Sequence, residues 1–228
     1  MNIDTIKYIQ IDSFYLRDTD KHFITLGNEL HNYQSKVRHA AYKYVKNWSA
    51  AIDIGAHIGI FTSCFSKKFK QVYSFEPMIY NRICLEKNIA SNVLIYPYGL
   101  GSCQGVTEMR YNFTNSGGSE VIDPNNIAPN DNLLQSENKI LVEIRTLDSF
   151  LIKEIGLVKV DVQGMEEHVL KGAENTLKEF KPVVILEEKV VKSRPNDRSA
   201  IERARNILLS YNYRFAELVH NDAIYISN

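Results

Sequence analysis

An apolar strand that runs straight into two glycines set four residues apart leaves a chain few architectures. Here the run is Ala51-Ile52-Asp53-Ile54-Gly55-Ala56-His57-Ile58-Gly59, followed by Val72-Tyr73-Ser74-Phe75-Glu76-Pro77. The first stretch reads as a buried strand, a glycine turn and the start of a helix. The second is another apolar strand that ends on one carboxylate. Nucleoside-binding βαβ units present an acid to a ribose about 20 residues beyond their glycine turn, and Glu76 falls close to that offset.

The rest of the chain repeats the alternation. Helices are expected over Phe61–Phe69, Asn81–Ala90, Glu166–Phe180 and Arg198–Tyr211, with a short one at Leu147–Glu154. Strands are expected over Ala50–Ile54, Val72–Phe75, Val93–Tyr98, Leu141–Ile144, Val158–Val162 and Val183–Leu186. An antiparallel pair, Tyr213–Val219 and Ala223–Ile226, closes the chain. Such alternation implies a parallel sheet with helices on both faces, and ligands bind such sheets at the carboxyl ends of the strands. Asp53, Glu76, Asp161 and Glu187 all sit at such ends, which argues for one shared site.

Before the first core strand, the runs Tyr8–Ile11, Phe14–Leu16 and Phe23–Leu26 read as a small β extension over residues 1–34. Ser35 is placed to cap a helix running to about Trp48. The domain proper is residues 35–228. Within it, residues 112–138 are rich in Asn, Ser, Gly, Pro and Asp. A loop that long is either a functional flap or a disordered insertion.

Charge and cysteine usage narrow the partners. The 27 basic residues balance 27 acidic ones, which disfavours a phosphate-tracking nucleic-acid surface. Cys64, Cys84 and Cys103 are odd in number and form no CxxC pair, so a reduced, cytoplasmic setting is expected. The first residues lack a basic region followed by an apolar run, and no stretch has the roughly 18 apolar residues of a membrane span. Neither HExxH nor CxxC spacing occurs, so no metal is expected.

The glycine turn itself discriminates between cofactors. NAD sites need G-x-G-x-x-G so that a pyrophosphate can rest on a helix N-terminus. This chain has D-x-G-x-x-x-G, and Asp53 before the turn would repel a diphosphate. The same carboxylate suits the ammonium group of a methionine moiety, directly or through water. S-adenosylmethionine is therefore favoured over NAD. A plain glycine turn with Asp53 as a helix cap is the alternative, and His57 is either a ligand contact or a solvent-facing helix-start residue.

The chain resembles the FkbM family of S-adenosylmethionine-dependent methyltransferases. The resemblance is carried by Ile52–Gly59, Tyr73–Pro77, Ile144-Arg145-Thr146-Leu147-Asp148, Val158-Lys159-Val160-Asp161-Val162-Gln163-Gly164-Met165-Glu166 with Leu170–Ala173, and Pro182–Glu187. The usual asparagine of the family's G-A-N turn is His57 here. The resemblance implies an α/β, Rossmann-like class I methyltransferase fold, with a mostly parallel seven-stranded sheet ending in an antiparallel hairpin. It implies that Asp53, Gly55 and Gly59 line the methionine end of the cofactor and that Glu76 binds the ribose. Adenine is expected near Tyr98–Ser102. The cofactor-contact set is thus Asp53, Gly55, Ala56, His57, Gly59, Glu76, Pro77, Gly99 and Gly101. Family members commonly O-methylate sugars and natural products, so a small-molecule or glycan acceptor is expected.

A hydroxyl acceptor needs a group to take its proton. Asp161 and Glu166 are the candidates, at a strand end and the following helix start, with Glu187 behind them. Each also has a structural reading: Asp161 as a helix cap, Glu166 bonded to first-turn amides or paired with Lys159, Glu187 as a solvated strand end. Two other functions stand beside this reading. An NAD-dependent sugar-nucleotide oxidoreductase would need the missing glycine fingerprint. A non-catalytic cofactor-binding module would keep the fold without turnover.

Overall fold

The computed structural model describes residues 7–112, 114–121, 139–190 and 197–228. The chain opens with a hairpin of β1 (Tyr8–Ile11) and β2 (Phe14–Arg17), in which Ile11 faces Phe14. Its two turn residues, Asp12 and Ser13, both have positive φ (49° and 69°), the twist-matched geometry of tight hairpins. The third expected strand is a helix instead, α1 (Lys21–Leu26). Asp20 decides this: its carboxylate accepts from the Phe23 amide and caps the first turn, while Phe23 turns into the core.

Next, α2 (Ser35–Tyr42) ends six residues before the expected Trp48, and its cap position is Gln34, in a left-handed conformation, rather than Ser35. β3 (Ala50–Ile54), α3 (Ile60–Ser66), β4 (Gln71–Phe75), α4 (Ile79–Asn88) and β5 (Val93–Tyr96) follow. Then come β6 (Gly99–Leu100), β7 (Gly105–Arg110), β8 (Glu120–Val121) and β9 (Lys139–Arg145). β10 (Ile155–Val160), α5 (Glu166–Lys171), α6 (Glu174–Phe180) and β11 (Val183–Glu187) lead to α7 (Asp197–Ser210) and the closing strands β12 (Tyr213–Val219) and β13 (Asp222–Ser227).

The main sheet is mixed, ordered β12-β13-β11-β10-β3-β4-β5. Pairings from β11 through β10, β3 and β4 to β5 are parallel, and β13 is antiparallel to both β11 and β12. Successive side chains alternate between its faces. Ile52, Ile54, Val158, Val160, Val184 and Leu186 pack on one side; Ala51, Val72, Leu157, Val183 and Ile185 pack on the other. Both faces are covered, which is why these strands read as unbroken apolar runs. A second sheet, β6-β9-β7-β8, includes strand β7, which has no counterpart in the sequence reading. β7 is hidden from pattern reading because Val106 is exposed while only Met109 is buried.

The stretch expected as one helix, 166–180, is two, broken at Gly172-Ala173. A Cβ on Gly172 would lie 2.0 Å from the Gly101 carbonyl oxygen, so the backbone there runs against the β6 end. Asp148 then restarts the helix: its carboxylate accepts from the Asn175 and Thr176 amides, each at 2.9 Å, while its own amide donates to the Gly172 carbonyl at 3.0 Å. The Thr-Leu-Asp and Leu-Lys-Gly-Ala motifs are thereby one structural joint. The N-terminal segment seats Phe14, Leu16, Phe23 and Leu30 on Ile58, Ile60 and Cys84, so it lies beside the glycine turn.

Candidate functional site

A cavity of about 220 Å³ opens at the carboxyl ends of β3, β4, β10 and β11. Its floor includes Gly55, Ala56, His57, Glu76, Pro77, Gly99, Asp161 and Glu187, eight of the residues expected from sequence. Its other walls are His22, Phe23, Tyr33 and Gln34 from the N-terminal segment, and Asn115–Ser119 from the polar loop.

The turn after β3 is made by backbone. The Gly55 and Ala56 amides both donate to the Phe75 carbonyl, at 3.0 and 3.1 Å. Gly55 has φ of +77°, and a Cβ there would stand 1.9 Å from the Asp161 carbonyl oxygen. Glycine is thus required by both conformation and space. Glu76 is buried and its carboxylate is fixed. Oε2 accepts from the His57 amide at 2.8 Å, and Oε1 from the Met78 amide at 2.9 Å and Asn81 Nδ2 at 3.2 Å. Burial raises its pKa, against the pull of those donors. Roughly four acceptor sites exist on a carboxylate. Three are filled by protein, so Oε2 keeps room for a hydroxyl. Asn81 also lines the cavity, and its buried Oδ1 has no hydrogen-bond partner among the described residues. Nothing in the sequence pattern singled out Asn81, because it reads as an ordinary polar residue at a helix start.

At the other end, Lys159 organises the acids. It is buried, its Nζ 3.3 Å from Asp161 Oδ2 and 3.6 Å from Asp53 Oδ1, and 4.9 Å from the centre of the Phe61 ring. Burial opposes its charge, but Asp161 and Asp53 outweigh that and raise its pKa. Gln163 Nε2 donates to Asp161 Oδ1 at 2.9 Å and to Glu187 Oε2 at 2.8 Å. Burial works against the Asp161 charge too, yet Lys159, Glu187 and Gln163 together hold its pKa below the usual value. Glu187 is driven the other way, to about 10, first by burial and then by the Asp161 charge. The pair therefore carries one negative charge, on Asp161, and one proton, on Glu187.

Four expected site residues stand outside the cavity wall. Asp53 is fully buried beneath the turn, where Thr62 Oγ1 donates to it at 2.7 Å and Lys159 pairs with it. It lies under the floor, outside the cavity lining. Gly59 has φ of +91°, and a Cβ there would meet the Leu85 side chain at 2.5 Å, so its role is packing. Gly101 lies against Ile144, 2.9 Å from a Cβ position. Glu166 turns back on its own loop: Oε1 accepts from the Val162 and Gly164 amides, both at 3.1 Å. Burial lifts its pKa to about 7. Sequence spacing could not separate these from cavity residues, because a strand-end acid can point into the floor or under it.

A family model for the methyltransferase FkbM domain matches residues 53–215. The chain belongs to the FkbM methyltransferase family. Methyltransferase 1 of Beauveria bassiana (strain ARSEF 2860) is 27% identical over 149 residues, covering 56% of this chain and 59% of that protein. The crystal structure of the methyltransferase FkbM from Methylobacillus flagellatus KT shares the fold, with a TM-score of 0.53 and 20% identity, over 78% of this chain and 43% of that one. The chain thus spans about half the length of the relatives it matches. The α/β fold with its large mixed sheet is that of the family's solved structure.

The resemblance to this family implies S-adenosylmethionine as the group to test against the cavity. The cavity fits it. Glu76 offers a free acceptor position beside the unpartnered Asn81 Oδ1, as ribose hydroxyls require. Tyr98, Leu100, Phe75 and Met109 supply apolar wall for a base. A Cβ at Gly99 would collide with Ile144 at 2.6 Å, which keeps the backbone of this wall bare.

Proposed function

We propose that this FkbM domain transfers the methyl group of S-adenosylmethionine to a hydroxyl on a sugar, glycan or related small molecule. The observation that carries the reading is Glu76, locked by three donors beside the Gly55 turn in the same cavity as the Asp161–Glu187 pair. When bound, the cofactor supplies an electrophilic methyl group on a positively charged sulfur. Glu76 and Asn81 hold the nucleoside, and the bare backbone of Gly55–His57 and Gly99 lets it approach closely.

Asp161 and Glu187 form the catalytic end of the proposal. The charged Asp161 favours the sulfonium and accepts the hydroxyl's hydrogen bond, so it is placed to take that proton as the oxygen is methylated, while the protonated Glu187 donates one hydrogen bond; together they hold the hydroxyl in line. Positioning of this kind is worth roughly 7–11 kcal/mol when the reacting atoms are well placed. Phe23, Tyr33 and Asn115–Ser119 line the side of the cavity formed by the N-terminal segment and the polar loop. The acceptor is small, uncharged and rich in hydroxyls; nucleic acid and membrane are not partners in this reading, and the working compartment is the cytoplasm. No helix of the described residues is long and apolar enough to cross a membrane.

The test is calorimetric titration with S-adenosylhomocysteine, with NAD as control, followed by methyl transfer from labelled S-adenosylmethionine to a panel of glycosides. Binding of S-adenosylhomocysteine but not NAD, and label in a glycoside ether, is expected. Folded protein that binds no S-adenosylhomocysteine would overturn the proposal.

A further inference from the structure

His57 joins three parts of the molecule. Its backbone amide holds Glu76, on the cofactor side. Its ring faces the cover: it stacks on Phe23, with centroids 5.2 Å apart and planes 28° from parallel, and Nε2 hydrogen-bonds Ser116 Oγ. Ser116 in turn donates both its hydroxyl and its amide to Asp20 Oδ2, the amide at 3.3 Å. Asp20 and Ser116 are both buried. His57 also adopts φ of +55°, a left-handed conformation held by these contacts.

The chain of bonds has one consistent direction. A hydroxyl has a single proton, and that of Ser116 goes to the Asp20 carboxylate. The Ser116 oxygen must therefore accept from His57, so the imidazole proton sits on Nε2. Nδ1 is then a bare lone pair. Among the described residues it has no protein donor, and the residue lines the cavity. Asp161, by contrast, is already engaged by Lys159 and Gln163. Burial, outweighing the pull of Asp20 and Asp161 and aided by Arg17 and Lys159, lowers the His57 pKa to about 4, which keeps the ring neutral at pH 7.

We propose that His57 Nδ1 accepts a hydrogen bond from a second hydroxyl of the methyl acceptor, beside the one held at Asp161 and Glu187, with Ser116 and Asp20 as positioning residues that fix its tautomer. This rests on the proposed methyl transfer and names one acceptor contact within it. It ties acceptor recognition to the N-terminal segment and the polar loop. It also gives a reason for histidine where the family pattern has asparagine: the ring is long enough to bridge to Ser116 and still present a second nitrogen.

The experiment is long-range ¹H–¹⁵N spectroscopy of protein labelled at its six histidines, with His57 assigned by His57→Gln. At pH 7 the expected spectrum has a neutral His57 protonated at Nε2. In Ser116→Ala and Asp20→Asn it becomes a tautomer mixture, while the affinity for S-adenosylhomocysteine stays within threefold. On a glycoside that turns over, at saturating S-adenosylmethionine, His57→Gln raises KM at least fivefold. A charged ring, an Nδ1–H tautomer, an unaltered tautomer in both variants, or an unchanged KM overturns the assignment. Loss of S-adenosylhomocysteine binding by the wild type would instead overturn the methyltransferase reading.

Discussion

Replacing Glu76 by glutamine tests the cofactor site with little change in shape. In the wild type every protein group facing the carboxylate is a donor: the His57 and Met78 amides and Asn81 Nδ2. Glutamine must place its own NH₂ against one of them, so one bond becomes a donor–donor contact. The remaining oxygen cannot serve all three donors and a ribose hydroxyl. A hydrogen bond to a charged group is worth about 1.5–3 kcal/mol, and an unsatisfied buried donor costs about 1–3 kcal/mol. Loss of the ribose contact alone predicts roughly 10- to 100-fold weaker S-adenosylhomocysteine binding. The unpaired donor in the turn adds a fall in stability of about 1–2 kcal/mol, offset in part because a buried charge is removed. Calorimetry gives the affinity and urea unfolding the stability. Binding within threefold of the wild type would refute the reasoning, since it would mean the carboxylate holds only its own loop.

Three further outcomes follow from the same geometry. Gly55→Ala places a methyl 1.9 Å from the Asp161 carbonyl at φ of +77°, so urea unfolding should record a loss above about 3 kcal/mol. Asp148→Ala removes the cap on Asn175 and Thr176 and should cost about 1–2 kcal/mol with S-adenosylhomocysteine affinity unchanged; a weakened affinity would place the joint in the site. Thermal melting should fall on both sides of neutrality. The lowered His57 pKa contributes stability that is present above 6.5 and lost as pH drops toward about 4. The raised Glu187 pKa contributes stability that is full below 4.5 and lost as pH climbs toward about 10, so His57→Gln should flatten the acid limb and Glu187→Gln the alkaline one.

The alternation of apolar strands with amphipathic helices was legible in the chain itself, because periods of 2 and 3.6 and the glycine turn are local properties. So was the gathering of Glu76, Asp161 and Glu187 at one edge, since parallel strands deliver their carboxyl ends to the same side. Where each acid points is another matter. Asp53 and Glu166 occupy positions as suggestive as Asp161, yet Thr62 and Lys159 draw the first beneath the floor, and the Val162 and Gly164 amides fold the second onto its loop. Those partners lie on the following helix and a neighbouring strand or depend on turn geometry, and no spacing rule encodes them. Phe23–Leu26 alternates like a strand but coils because Asp20 caps it and the core receives Phe23. The bond from Asp20 through Ser116 to His57 spans residues 20 to 116. Only packing of the N-terminal segment and the polar loop over the cavity brings those groups together.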